Sequence, residues 1–412
     1  MLSCFSTFLN LRIDMRHKIG DVVFWSFKRF VKSFENVFSL LVRLCVNVKK
    51  GRVACWAYSF KQYSCNPRYL TEYLLENNPE YDIYWVFRKK IDISGVDKRI
   101  KCVRFRSLAY YVLINSAEFL ITNARTDPYG IFWHKRPGQK YAMLWHGGIA
   151  LKKIEKDAED KLSFSYLQRA KADSKVCDLM ISGSEFQVDL MRNKFWYDGE
   201  ILKSGIPRYD IFFDKDVHRA IREKVVGFYG IPEKNKIVLY APTFRTGHSL
   251  KPYSIDWRVT VPLLKEMLGA DVTILLRLHP NMLRVDTKPL INDPSVIDVT
   301  RYHDMQELLC IADLLITDYS STMFDMAMID KPCLLYATDI EEYDRGYYFK
   351  FDRLPFPLAM NQEELSENIA TFDIDSYRAG VKDFLENVVG MFEDGNASRR
   401  IAEWMSAHSL PY

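Results

Sequence analysis

From residue 51 onward, short apolar runs alternate with segments of helical pattern, and that alternation restricts the architecture more than any other feature. Val53–Ser59, Asp82–Arg88, Glu118–Thr122, Tyr141–Trp145 and Leu179–Ser182 read as strands. Helical patterns lie between them, the first opening on Asn66-Pro67, an N-cap and a first-turn proline. Strand–helix–strand order of this kind makes a parallel sheet with helices on both faces. The pattern breaks over 206–236, which holds Pro207, a charged helix and the breaker Gly230-Ile231-Pro232. It then restarts with strands at Ile237–Tyr240, Val272–Leu278, Leu314–Thr317 and Cys333–Tyr336. The expected fold is α/β: two doubly wound halves, 51–215 and 216–385, facing each other across a cleft, with terminal helices over 386–412. Ligands of such sheets bind beyond the carboxyl ends of the strands.

The first 50 residues differ in kind. They hold nine Lys or Arg and three acids, so the net charge of +4 splits into +6 there and −2 in the body. Val23, Phe27, Phe30, Phe34, Val37, Leu41, Leu44 and Val48 recur at spacings of four and three, one stripe of a helix. Lys28, Lys32 and Arg43 fall elsewhere on the wheel. A basic amphipathic helix over 1–50 suits an anionic membrane surface; the competing reading is a helix docked on its own domain or on another chain. No uncharged apolar stretch here reaches the ~20 residues that span a bilayer. Met15 is an alternative start that would make 1–14 an extension. The eight cysteines show no metal spacing and no CxxC pair, and with no cleavable signal pattern they read as reduced thiols of a cytosolic protein.

Polar groups cluster just after the strands. His146 stands with Gly147 in "AMLWHGG", Thr243 and Arg245 in "VLYAPTFRTG", His279 in "ILLRLHPN", and His303 in "VTRYHDMQEL". Ser320 and Ser321 stand in "LLITDYSSTMFDMAMIDKP", and Arg345 in "EEYDRGYY". The pattern points to phosphate: a helix start offers free N–H groups, small serines let an anion approach, and arginine grips phosphate oxygens in a fork. Thr322 with Asp325 fits a capping box that would set the helix start. Alone, Ser320 and Ser321 are ordinary caps and each histidine an ordinary structural residue. Three histidines at equivalent turns favour a site. GxxxxGK[ST], GxGxxG, HExxH and GxSxG are absent. Asp214-Lys215-Asp216 and Asp373-Ile374-Asp375 match an acidic metal triplet only formally, so no metal and no other cofactor is expected. Positive side chains would then neutralise a pyrophosphate. The body's charge of −2, with no interleaving of basic and aromatic residues, disfavours a nucleic-acid partner.

Taken together, "LWHGG…LKKI", "SGSEFQ", "SGIPRYD", "LYAPTFR", "RLHPN" and "ADLLITDYSSTMFDMAMIDKPCLLYATDIEEYDRGYYF" resemble the CDP-glycerol glycerophosphotransferases, the teichoic acid primases and polymerases with relatives in capsule synthesis. The resemblance runs from about residue 51 to about 405. It implies a GT-B-like fold of two Rossmann-type halves and peripheral attachment to the cytoplasmic face of the membrane. It implies CDP-glycerol as donor and transfer of glycerol phosphate to a hydroxyl of a lipid-linked acceptor, with release of CMP. His146 and His279 take the catalytic positions. Arg245, His303, Ser320, Ser321 and Arg345 take the phosphate and nucleotide contacts, with Thr243 beside them. Pro207, Arg208 and Asp210 lie at the cleft floor, and Gly147 and Asp325 support the site. Two departures stand out: Gly147-Gly148-Ile149-Ala150 replaces a Gly-Thr-Pro pattern, and Pro355-Phe356-Pro357 replaces a Pro-Gly-Pro. CDP-ribitol, another CDP-polyol or a UDP-sugar are the alternative donors. Oligomeric state is open, and the short N-terminal region favours a primase or a small polymerase.

Overall fold

The computed structural model describes residues 35, 37–126, 135–245, 250–340 and 346–411. Half of the expected N-terminal stripe, Val23, Phe27, Phe30 and Phe34, and Arg345 lie outside them.

Two parallel sheets form the body. The first contains β1 (Lys49–Trp56), β2 (Asp82–Phe87), β3 (Lys101–Arg104), β4 (Ala117–Thr122), β5 (Lys140–Met143), β6 (Leu179–Ile181) and β7 (Glu200–Leu202). Its order is β3-β2-β1-β4-β5-β6-β7. The second contains β8 (Lys236–Tyr240), β9 (Val272–Leu276), β10 (Val296–Asp298), β11 (Leu314–Thr317), β12 (Cys333–Tyr336) and β13 (Leu358–Ala359), in the order β10-β9-β8-β11-β12-β13. Every pairing is parallel, so all strands of a sheet end on one edge. The central strands are buried on both faces, which is why they read as continuous apolar runs.

Four strands escape the sequence reading: β3, β7, β10 and β13. All four are sheet edges. β3 is half charged and largely exposed (Lys-Cys-Val-Arg), and β13 has only two residues. Edge strands need no apolar run, because one flank faces water. Both acidic triplets prove to be helix starts. Asp214 accepts from the N–H groups of Asp216 and Val217, and Asp373 from those of Asp375 and Ser376.

The halves are joined by buried charge. Arg68, on the helix Cys65–Asn77, pairs with Asp304 at 2.8 Å and Glu307 at 3.0 Å. The last helix, Ala397–Ala407, returns to pack on Cys65–Asn77. Asp210 accepts from Ala397 N and Ser398 N, each at 2.8 Å, and so anchors that helix.

At the N-terminal end, a helix over 37–45 docks through Phe38, Ser39 and Val42. Phe38 meets Tyr111 edge-on at 5.1 Å, and Ser39 Oγ accepts from Asn115. The other side is left open: Val37, Leu40, Leu41 and Leu44 are 57, 47, 56 and 84% exposed. The stripe read from the sequence is thus the outward face, while its neighbours make the contact. Among the described residues no helix is long and apolar enough to cross a membrane.

Candidate active site

The site grows from the end of β5. The chain leaves the sheet at Leu144, and Trp145 adopts a left-handed φ of 50°, a conformation costing about 1–3 kcal/mol in such a residue. Asn66 braces this turn. Its Nδ2 donates to the carbonyls of Leu144 and Trp145 at 2.8 and 2.9 Å, and its Oδ1 accepts from Arg208 N at 3.3 Å. The N-cap position falls to Ser64, whose side chain makes no capping bond, and Asn66, buried in the first helical turn, is a strut for the histidine turn.

The two histidines are held in opposite tautomers. His146 Nδ1 lies 3.0 Å from the carbonyl oxygen of Asn123. A carbonyl can only accept, so Nδ1 carries the proton and Nε2 keeps its lone pair. His279 Nδ1 accepts from Asn281 N at 3.1 Å, so in the neutral ring Nε2 carries the proton. His146 is open to solvent through the cleft but surrounded by both halves. That burial lowers its pKa below 6.5; the Asn123 contact opposes the shift, and the Arg208 cation adds to it. Burial, then Arg277, lowers that of His279.

Two cavities meet at Trp145 and His146. The smaller, about 510 Å³, lies between the halves, and His146, Gly147, Thr243, His279, Ser320 and Ser321 all line it. Arg277 brings positive charge to it. Its Nη1 donates to the Tyr302 carbonyl at 2.5 Å, and no carboxylate stands within ion-pair distance among the described residues. Thr243 Oγ1 is buried with no hydrogen-bond partner among the described residues. The larger cavity, about 1130 Å³, lies over the carboxyl ends of β1 to β5.

Other expected residues sit elsewhere. Arg245 was expected to hold phosphate, but it pairs with Asp318 and, through two nitrogens at 3.0 and 2.9 Å, with Asp339, and it does not line the cavity. Asp318 also accepts from Thr243 N and Tyr319 N, so its charge is turned into the loop and away from the cavity. Arg277, in the same motif as His279, holds the position that the sequence suggested for Arg245. His303 is half exposed and lies 3.6 Å from Glu307, at the Arg68 junction instead of the cavity. The capping box does not form. Ser321 precedes the six-residue helix Thr322–Ala327 without a side-chain cap, and Asp325 points the other way.

Asp325 meets Arg208 at 3.1 Å in the buried space between the halves, 1% and 7% exposed. Tyr209 donates its hydroxyl to Asp325 and accepts from Arg208 at 2.8 Å, while Gln306 donates to Asp325 at 3.2 Å. Arg208 Nη1 donates to the His146 carbonyl at 3.0 Å, while its Nε is buried with no hydrogen-bond partner among the described residues. Pro207 opens the short helical turn Pro207–Phe213 that carries this arginine. The Gly-Gly pair now has an explanation. A Cβ on Gly148 would stand 2.6 Å from the Tyr209 hydroxyl, whereas one on Gly147 would meet nothing closer than 3.9 Å.

Residues 38–406 match the family model described as CDP-glycerol:poly(glycerophosphate) glycerophosphotransferase. The chain belongs to this family. A teichoic acid poly(glycerol phosphate) polymerase of Bacillus subtilis is 30% identical over 377 residues, 88% of this chain and 49% of that protein. The chain therefore spans about half the length of that relative. A teichoic acid glycerol-phosphate transferase of Staphylococcus aureus is 29% identical over 386 residues, 90% of this chain and 96% of that protein. A solved structure of the wall teichoic acid polymerase TagF, a histidine-to-asparagine variant soaked with CDPG, superposes with a TM-score of 0.75 at 27% identity. The match covers 92% of this chain and 97% of that one. The GT-B-like arrangement is thus shared within the family.

Asp325→Ala would leave the buried Arg208 cation unpaired. A loss of about 3–5 kcal/mol in unfolding free energy is expected, read from urea denaturation; an unchanged midpoint would show that the pair does not join the halves.

Proposed function

We propose that the protein transfers glycerol phosphate from CDP-glycerol to a hydroxyl of a lipid-linked acceptor, releasing CMP, in the synthesis of a teichoic-acid-type polymer. The observation that carries this reading is the position of His146: an imidazole with a free Nε2 lone pair stands where the two cavities meet. The smaller cavity takes the donor and the larger one the acceptor. His146 Nε2 removes the proton from the acceptor hydroxyl, whose oxygen forms a bond to the β-phosphorus. The bond from that phosphorus to the bridging oxygen breaks, and CMP leaves with the bonding pair. The Nε2–H of His279, the Arg277 cation and the hydroxyls of Thr243, Ser320 and Ser321 meet the charge on the transferring group and on CMP. Family membership supports the donor class.

The protein in this reading works at a membrane surface. The exposed Val37, Leu40, Leu41 and Leu44 form an apolar face beside Arg43, Lys49 and Lys50, the composition that lies in a lipid interface.

General-base assistance contributes on the order of 10²–10⁴ in rate, so His146→Ala should lower CMP release by that factor while the protein stays folded. Near-normal release would refute the assignment. Because the pKa of His146 lies below its ordinary value, kcat/KM in wild type should hold through neutrality and fall only below pH 6.5. An acid limb centred above that value would contradict a neutral base. Leu41→Glu with Leu44→Glu should lower co-sedimentation with vesicles of anionic lipid by at least about tenfold; equal sedimentation would remove this face from membrane binding.

A further inference from the structure

The larger cavity carries more charge than its place beside a histidine requires. Six of its lining residues are Arg or Lys, and none of those described is Asp or Glu. Two of the six are already neutralised. Arg125 pairs with Glu155 at 3.1 Å and Asp173 at 3.3 Å, and Arg106 with Glu35 at 2.8 Å. Three others are not. Arg88, Lys89 and Arg104 are exposed, and no carboxylate lies within ion-pair distance of them among the described residues.

The sheet places these three together. β2 and β3 are parallel neighbours with Phe87 opposite Arg104. Arg88 and Lys89 follow directly, so three cations leave one edge across strands about 4.8 Å apart. Arg88 Nε is held by the Ser59 carbonyl at 2.9 Å, which fixes the arm and leaves the other guanidinium nitrogens for a ligand.

The inner wall is aromatic. Trp56, Phe60 and Trp145 are buried at 3, 4 and 8% exposure and line the cavity. Phe60 reaches this wall through a strained turn: Tyr58, Ser59 and Phe60 have consecutive φ values of 44°, 57° and 70°. Runs of left-handed backbone without glycine persist only where the surroundings impose them. One of the groups imposing it is Asn123, whose side chain accepts from Tyr58 N at 2.9 Å and whose carbonyl orients His146. One residue therefore sets both the cavity wall and the base.

We propose that Arg88, Lys89 and Arg104 form a phosphate-binding subsite for the acceptor. The acceptor carries a phosphate group set back from its reacting hydroxyl; the three cations hold that group, the aromatic wall receives the segment between, and the hydroxyl reaches His146 Nε2. This rests on the transfer reading above and narrows its acceptor to a phosphate-bearing class. The phosphate belongs either to the linkage to the lipid or to a phosphodiester already in the growing chain, and both present the same oxygens.

Three synthetic acceptors with a common terminal hydroxyl test it on the full chain with CDP-glycerol. Each ends in a glyceryl group: one carries it by an ether on an alkyl diphosphate-linked glycoside, one by a phosphodiester on an alkyl glycoside, and one by an ether on the neutral alkyl glycoside. At least one phosphate-bearing acceptor should exceed the neutral one by about tenfold or more in kcat/KM, and which one it is identifies the source of the phosphate. Replacing Arg88, Lys89 and Arg104 together by Ala should raise the KM of that acceptor by a similar factor and erase the preference. The KM of CDP-glycerol should stay within about twofold. Arg104→Lys keeps the charge and should retain most of the preference, which a purely structural role would not predict. Equal use of the neutral acceptor, or a preference that survives in the triple variant, overturns the subsite. Calorimetric binding of the same acceptors without donor separates the two readings. Phosphate-selective binding that the triple variant loses, with no turnover in wild type, supports the subsite and removes the transfer reading; equal binding of all three by wild type removes the subsite.

Discussion

Arg208 and Asp325, a cation and an anion buried between the two halves, determine how the rest of the site is arranged. Both are withdrawn from bulk solvent. Each is therefore stable only with its partner and with the hydrogen bonds that surround the pair. Those bonds run in both directions. Arg208 reaches the His146 carbonyl within the first half, and Asp325, in the second, accepts from Tyr209 of the first half and Gln306 of its own. Misplacing the pair would move the histidine turn and the Ser320-Ser321 turn relative to each other, because Asp325 stands four residues after Ser321 on the same short helix. The absence of a side chain at Gly148 follows from the same packing, since the Tyr209 hydroxyl occupies the space a Cβ would need.

The chemistry of the two histidines is set by backbone. Neither ring meets a carboxylate through Nδ1: one meets a carbonyl oxygen, the other an amide N–H. The same side chain is thereby made an acceptor toward the cleft in one half and a donor in the other. Burial and nearby arginines lower both pKa values, which favours neutral rings at neutral pH and keeps this opposition intact. A base and a hydrogen-bond donor on the same cavity are what phosphoryl transfer to a hydroxyl requires.

Much of this was legible in the sequence because buried parallel strands are apolar on both faces, and their ends are where polar residues stand out. The halves, the restart after residue 236 and the gathering of His146, Thr243, His279, Ser320 and Ser321 could be read that way. What could not be read depends on partners distant in the chain. Arg245 looked like a phosphate ligand until Asp318 and Asp339, 73 and 94 residues away, were seen to take it. Asp325 fitted a local capping pattern, yet its ion-pair partner lies 117 residues earlier. Asn66 read as a cap because Asn-Pro opens helices; its contacts to Leu144 and Trp145 had no local signal. The edge strands carry none either, being short and open to water on one side.

The stripe of Val37, Leu41 and Leu44 had two readings, docked or exposed, and the helix takes both roles on opposite faces. Phe38 and Val42 dock while the stripe faces outward. The larger cavity opens close to this face, since Arg106 on its rim pairs with Glu35 just before it. The most direct test of the whole account is the identity of the nucleotide product. The intact protein, incubated with CDP-glycerol and a lipid-linked acceptor, should release CMP in equal amount to the glycerol phosphate gained by the acceptor. Release of CDP, or consumption of donor with no gain on the acceptor, would contradict attack at the β-phosphorus.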